Sequence, residues 1–166
     1  MIAKLSRDLY WWTGRDQTRS FREFDILAAL AERSGQGLNV PRPVAAMACR
    51  THGLFYRAAL ITQRIAQAEA FWKYDDGLIW ERAGQMIARL HRAGVWHADL
   101  NVNNILIDPH EKIWLIDFDR ARTGVTDPKR LYGNLQRLER SVRKVCSERI
   151  HDCWPMLLSG YARAPD

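Results

Sequence analysis

The chain has 166 residues, of which 47% are hydrophobic and 27% charged. That length suits one domain, or one domain with part of another, and the composition excludes a disordered chain. The formal net charge of +6 favours polyanionic partners, while no run approaches the ~18 apolar residues of a membrane-spanning helix.

Residues 18–33 read as an amphipathic helix, with Phe21, Phe24, Leu27, Ala28 and Leu30 at helical spacing. Ser20-Phe21-Arg22-Glu23 fits a capping box, and Gly35 and Gly37 stop the helix. Val40-Pro41-Arg42-Pro43 is extended and stiff. Residues 44–49 and 54–61 follow as strands around a Thr51-His52-Gly53 turn, and residues 63–74 form a connector. A second helix spans 78–92, with Leu78, Ile79, Ala83, Met86, Ile87 and Leu90 as its apolar face and Gly94 as its stop. Two short β-rich runs, 104–107 and 112–116, flank the turn Asp108-Pro109-His110-Glu111. A loop over 123–129 leads into two closing helices, 131–146 and 153–162.

The densest chemistry lies at His97-Ala98-Asp99-Leu100-Asn101-Val102-Asn103-Asn104, followed by Asp117-Phe118-Asp119. Asn104 follows Asp99 by five positions, the spacing of a kinase catalytic loop, His-x-Asp-Leu-x-x-x-Asn. Phosphoryl transfer asks for one carboxylate to take or orient the acceptor hydroxyl proton. It also asks for an amide and a second carboxylate to hold magnesium against the nucleotide phosphates. Asn104 opens one strand and Asp117 closes its neighbour, so a hairpin brings both to one end. Two oxygen ligands completed by phosphate and water suit magnesium. His97 in this pattern holds the loop by packing and hydrogen bonding.

Arg19 to Leu30 (RSFREFDILAAL), Val40 to Ala46 (VPRPVAA), Phe55 to Ile65 (FYRAALITQRI) and Gly94 to Arg120 (GVWHADLNVNNILIDPHEKIWLIDFDR) together resemble the lipopolysaccharide kinase family of Gram-negative bacteria. The resemblance implies an α+β, protein-kinase-like fold. In it a partial N-lobe over residues 1–62 has one long helix and two or three strands. Residues 63–76 form a hinge and connector, and 77–166 a mainly helical C-lobe. It implies ATP as donor, with Mg2+, and the 3-deoxy-D-manno-octulosonic acid (Kdo) sugar of a lipid A-linked glycolipid as acceptor. Its place would be peripheral, at the cytoplasmic face of the bacterial inner membrane. Asp99 then matches the catalytic base, and Asn104 and Asp117 the magnesium ligands. Glu23 matches the carboxylate of the first long helix, which pairs a phosphate-contacting base, and this stands beside its capping-box reading. Backbone groups of Thr62, Gln63 and Ile65 are placed to hold the adenine.

Several departures from kinase patterns bear on the acceptor. Ala98 stands where protein kinases commonly carry Arg, Asn101 stands where many carry Lys, and no Ala-Pro-Glu follows Asp117. These favour a glycolipid or small-molecule acceptor over a protein. The chain is expected to start just ahead of its first long helix, without a Gly-rich loop or a third-strand base, as a truncation would leave it. Lys4 is not given that base's role. Alternatives within this reading are a phosphotransferase acting on a soluble alcohol such as an aminoglycoside or choline, and a non-catalytic kinase-fold fragment.

The remaining features concern environment. Residues 1–8 carry no apolar core of a signal peptide. Cys49, Cys146 and Cys153 are scattered and show neither metal nor disulfide spacing, which fits a reducing cytoplasm. Lys129, Arg130, Arg137, Arg140, Arg143, Lys144 and Arg149 cluster toward the C-terminus. They form a solvated helix face or meet an acidic membrane surface. No helix-turn-helix, zinc-finger or RNA-module signature is present, so nucleic acid is not expected as a partner. No obligate protein partner is inferred.

Overall fold

A computed structural model describes residues 2–5, 9–12, 14, 18–33, 37–51 and 53–164; side chains of 2–5 are outside the description. Gly35 and His52, expected at a helix stop and a turn, lie outside the described residues. The chain orders as β1 (Ile2–Leu5), β2 (Tyr10–Trp11), α1 (Arg19–Ala31), β3 (Pro43–Thr51), β4 (Phe55–Thr62), β5 (Glu69–Ala70), α2 (Gly77–Arg92), β6 (Ile105–Ile107), β7 (Ile113–Leu115), α3 (Pro128–Val145) and α4 (Ile150–Arg163). This is an α+β, kinase-like arrangement. A sheet backed by one helix precedes a helical half that carries a small hairpin.

In the first half β4 is central. It pairs antiparallel with β3 over its whole length along one edge. Along the other it pairs with β1 and β2 in turn, Ile2 opposite Thr62 and Trp11 opposite Phe55. The element order read from the sequence began with the first long helix, and the structure adds two strands ahead of it. β1 and β2 precede that helix, and Lys4 sits on a strand opposite Leu60. The miss has a physical cause. Ile-Ala-Lys-Leu and Tyr-Trp are too short to show a period of two. Only the long edge offered by β4 makes strands of them.

Helix α1 packs on β3 and β4, through Leu27 and Leu30 in the core. Its N-cap is Thr18, with no side-chain capping bond. Ser20 lies inside the helix and donates its hydroxyl to the Met47 carbonyl at 2.9 Å. The capping-box reading of Ser20 and Glu23 is thereby corrected. Helix α3 starts earlier than its apolar period suggests, because Asp127 caps it through the Lys129 amide at 3.0 Å and Pro128 occupies its first turn.

The second half is built on the crossing of α2 and α4. The two helices meet backbone to backbone at Gly84 and Gly160. A Cβ on Gly84 would lie 1.9 Å from the Leu157 carbonyl oxygen, and one on Gly160 would lie 1.9 Å from that of Glu81. Trp80, Phe71, Leu90, Leu138 and Leu157 are fully buried and belong to one core cluster. The β6–β7 hairpin lies beside it, with β5 added to β6 from within the connector. The other edge of β7 is covered by the first half. Asn39 accepts from the Leu115 amide at 3.0 Å and donates its side-chain amide to the Ile113 carbonyl at 3.0 Å.

Candidate functional site

After α2 the chain turns at Gly94, whose φ of 70° is the left-handed conformation that glycine adopts without cost. Trp96 then exchanges both backbone hydrogen bonds with Arg122. This lays the loop 97–104 beside the segment that follows Asp117.

His97 is fully buried and every polar group described on it is engaged. Its backbone amide donates to Asn134 Oδ1 at 3.1 Å, and its carbonyl accepts from Asn134 Nδ2 at 2.7 Å. The Asp99 amide donates to His97 Nδ1 at 3.2 Å, so the proton sits on Nε2, which donates to the Ile116 carbonyl at 3.0 Å. The ring stands edge-on to Phe118 at 4.9 Å. One imidazole thus ties the turn at Asp99 to the strand end that carries Asp117.

Asp99 is half-exposed and held from several sides. Its carbonyl accepts from Asn104 Nδ2 at 2.9 Å and from Asn101 Nδ2 at 3.1 Å. Its Oδ2 accepts from Asn101 Nδ2 at 3.0 Å, and its Oδ1 faces Arg137 Nη1 at 3.4 Å. Asn101 closes the turn by accepting from the Asn103 amide at 2.9 Å. Leu100 and Val102 point the other way and are fully buried, which pins the loop to the core.

Asn104 ends a 3-10 turn, Val102–Asn104, and its carbonyl accepts from the Ile116 amide at 3.0 Å. The β6–β7 register, Ile105 opposite Leu115, therefore continues to Asn104 opposite Ile116, with Asp117 the next residue. Asp117 has a φ of 64°, a strained value for a non-glycine residue that turns the chain sharply there. With Nδ2 of Asn104 committed to Asp99, its Oδ1 is the free end of the amide. The register brings the Asn104 amide and the Asp117 carboxylate to one end of the hairpin, and an amide oxygen with a carboxylate is a hard, incomplete donor set that fits magnesium completed by phosphate and water. Among the described residues no group of three or more His, Cys, Asp or Glu could hold a metal.

Glu23 is buried on α1 and lines a cavity of about 170 Å³ with Arg19, Arg22, Phe118 and Arg120. The helix carboxylate thus lies beside the segment that follows Asp117. Arg19 ties the same two elements together by pairing with Asp119 Oδ2 at 3.5 Å. Asp119 Oδ1 is buried without a hydrogen-bond partner among the described residues. The segment expected to hold adenine follows directly on β4. Thr62 ends β4 in the sheet, and the Gln63 amide is committed to the Arg42 carbonyl at 2.8 Å. Gln63 and Ile65 line a cavity of about 460 Å³ with Pro41, Arg42, Asp108 and Trp114.

These motifs are matched by wider similarity. The model of the lipopolysaccharide kinase (Kdo/WaaP) family matches residues 1–161. The chain belongs to this family. A 3-deoxy-D-manno-octulosonic acid kinase of Stenotrophomonas maltophilia is 46% identical over 153 residues, covering 90% of this chain and 60% of that protein. One of Vibrio vulnificus is 43% identical over 170 residues, covering 97% of this chain and 70% of that protein. The chain spans about 60% of the length of the Stenotrophomonas relative. Among solved structures, the ROP18 kinase domain in complex with AMP-PNP and sucrose aligns over 73% of this chain and 44% of that one, at 16% identity and a TM-score of 0.45.

For this lipopolysaccharide kinase family chain, sequence reasoning missed the supports of the loop. Asn134 grips His97 at both backbone groups, and its Oδ1 also accepts from His91 Nε2 at 3.3 Å. That leaves His91 Nδ1 to accept from the Tyr161 hydroxyl at 2.8 Å. Burial pushes the His91 imidazole down to about 4, with His97 adding to the effect and the Asn134 bond opposing it. A signal was there to read. Asn134 and His91 stand on the apolar faces of their helices, beside Leu135 and Leu138 and beside Ile87 and Leu90. A polar residue at an apolar position is the observation that asks for a partner.

Proposed function

We propose that this chain carries the phosphoryl-transfer centre of a Kdo kinase. It moves the γ-phosphoryl group of ATP to a hydroxyl of the Kdo sugar on a lipid A-linked glycolipid. The observation that carries this reading is the immobilised Asp99. Its carboxylate stands half-open to solvent while Asn101, Asn104 and His97 fix the turn that presents it. A loop held this tightly sets the angle at which a carboxylate meets an incoming hydroxyl, and positioning is most of what phosphoryl transfer asks of a protein.

In this reading Asp99 accepts the hydroxyl proton as the oxygen attacks. Asn104 and Asp117 hold magnesium, which when bound neutralises charge on the nucleotide phosphates and orients them. Glu23 serves from α1 as partner to a phosphate-contacting base. Residues 62–65 edge the nucleotide site. Residues 1–62, 63–76 and 77–166 then act as N-lobe, connector and C-lobe. No helix of the described residues is long and apolar enough to cross a membrane. The +6 charge supplies attraction to an acidic bilayer, about 1 kcal/mol for each basic residue near the surface. We place the working chain peripherally on the cytoplasmic face of the inner membrane, where such a glycolipid would be met.

The test is transfer of labelled γ-phosphate from ATP to Kdo-bearing lipid A. Asp99→Asn keeps the shape and loses the base, so turnover should fall about 10²–10⁴-fold at unchanged melting temperature. In parallel, Asp117→Ala should weaken nucleotide binding with magnesium present more than without it. Unchanged turnover in the first variant, or equal loss with and without magnesium in the second, would remove the assigned roles.

A further inference from the structure

Helix α3 follows the loop 97–104 with a row of polar side chains. Asn134 holds the His97 backbone, and Ser141 Oγ accepts from the Val102 amide at 3.2 Å. Both contacts fix main chain. Arg137 stands between them on the same face and does something else. It reaches the reactive carboxylate, in a single contact of 3.4 Å between Nη1 and Asp99 Oδ1. The two side chains are 47% and 48% exposed. An ion pair so open to water contributes little to folding, so stability does not account for it.

The geometry leaves most of the guanidinium available. An arginine side chain has a planar fork of N–H donors that matches a carboxylate in two-point contact, and the Asp99 contact uses one of them. Asp99 does not depend on Arg137 for its place, because Asn101 holds Oδ2 and the loop turn is tied by Asn104. Two other arginines of the same helix, Arg130 and Arg143, are engaged elsewhere. Arg130 lies over the Trp96 ring at 4.7 Å, and Arg143 pairs with Glu139 at 2.6 Å. A hydroxyl that reaches Asp99 therefore arrives beside a partly engaged cation.

Under the reading above the acceptor is a sugar acid, which carries a carboxylate as well as hydroxyls. On a single sugar ring the two are near neighbours. We propose that Arg137 is the acceptor-reading residue of this site, its guanidinium binding the sugar's carboxylate while Asp99 meets the hydroxyl. The proposal rests on the Kdo kinase reading and adds to it a reason for selecting an acidic sugar over a neutral one. The anionic group is supplied by the substrate, and α3 supplies its counter-charge.

The experiment titrates the full chain, without nucleotide, with the methyl glycoside of 3-deoxy-D-manno-octulosonic acid and with the methyl ester of that glycoside. Binding is followed by NMR shifts. The wild-type chain should prefer the acid by about tenfold or more, as a charge-assisted hydrogen bond implies. Arg137→Gln should lose that preference at unchanged melting temperature. Arg137→Lys should keep part of it, since an ammonium retains the charge without the fork. Equal binding of acid and ester by the wild type, a preference that survives in Arg137→Gln, or binding of neither sugar would each overturn the proposal. Phosphate transfer is not the readout, so the two ideas fail separately. A chain that phosphorylates the glycolipid yet keeps its acid preference in Arg137→Gln loses only the Arg137 assignment. A chain that reads the acid through Arg137 and never transfers phosphate loses the kinase reading instead.

Discussion

The two polar segments of this chain, residues 97–104 and residues 62–67, are held in opposite ways. In the first, the His97 backbone is gripped from α3, the Asp99 turn is closed by Asn101 and Asn104, and apolar neighbours are sunk into the core. In the second, the Gln63 amide has one backbone partner, and Gln63, Arg64, Ala66 and Gln67 are exposed. Under the proposed function the contrast follows from what each segment would do. A proton acceptor must meet a hydroxyl within hydrogen-bond distance and angle, so a small displacement there costs rate steeply. A segment that edges a flat base can serve with backbone groups and tolerate motion. Rigidity is concentrated where angles matter.

The largest break in that contrast should come from beneath the loop. The rigid half depends on α2 and α4 touching at Gly84 and Gly160, where an added Cβ would meet main-chain atoms at 1.9 Å. Main chain cannot swing aside as a side chain does. Gly84→Ala or Gly160→Ala should therefore cost about 3 kcal/mol or more, lowering the melting temperature by roughly 10 °C in a chain of this size. Gly133 sharpens the comparison. It is also inside a helix, but nothing lies within 4 Å of its Cβ position. Gly133→Ala should stabilise by about 0.5–1 kcal/mol. Calorimetry on the three variants checks both signs. Equal effects at Gly84 and Gly133 would mean that the helices are free to separate.

A second, somewhat smaller effect is a pH dependence located in the same half. The buried His91 links Tyr161, Asn134 and hence the His97 backbone, and burial holds it at about 4 in the folded chain. An unfolded histidine titrates near 6.5. Between these values the unfolded chain binds the extra proton and the folded one does not, so stability rises with pH across that window. The contribution is complete above about pH 6.5 and is lost as pH falls toward about 4, for about 3 kcal/mol in all. His91→Gln should remove that part of the slope. Urea midpoints from pH 7 to 4 measure it. A parallel slope in wild type and variant would sever His91 from the pH response.

Much of this architecture was legible because it is local. The helices α1, α2 and α3 announce themselves by apolar period. The hairpin shows in two β-rich runs around Asp108-Pro109, and the loop shows in the spacing of Asp99 and Asn104. What was not legible depends on distance. β1 and β2 are strands because β4 lies alongside them, and their own six residues carry no pattern. The start of α4 was obscured by Pro155, a residue that normally interrupts helices, although the helix opens at Ile150 and accommodates it. The supports of the loop come from α3, where Asn134 holds the His97 backbone and Ser141 the Val102 amide, 37 and 39 residues onward; a buried Asn on an apolar face asks for a partner, but the sequence does not say which backbone it meets. Motif spacing points to the candidate acting groups, whereas the groups that hold them still are set by packing.

The smallest expected effect tests the looser segment. The Gln63 side chain is exposed, and its amide, not its side chain, bonds Arg42 at 2.8 Å. Gln63→Ala keeps that amide. Stability should therefore move by less than about 0.5 kcal/mol, as at most surface positions. Nucleotide affinity should move by less than about threefold, because a base edged by main-chain groups does not register the loss of a solvated side chain. Isothermal titration with ATP and a melting curve decide it. A tenfold loss of affinity at unchanged stability would show that the Gln63 side chain itself reads the base. The connector would then be a built recognition element like the loop 97–104, and the difference in rigidity drawn between the two segments would have to be explained by something other than their proposed tasks.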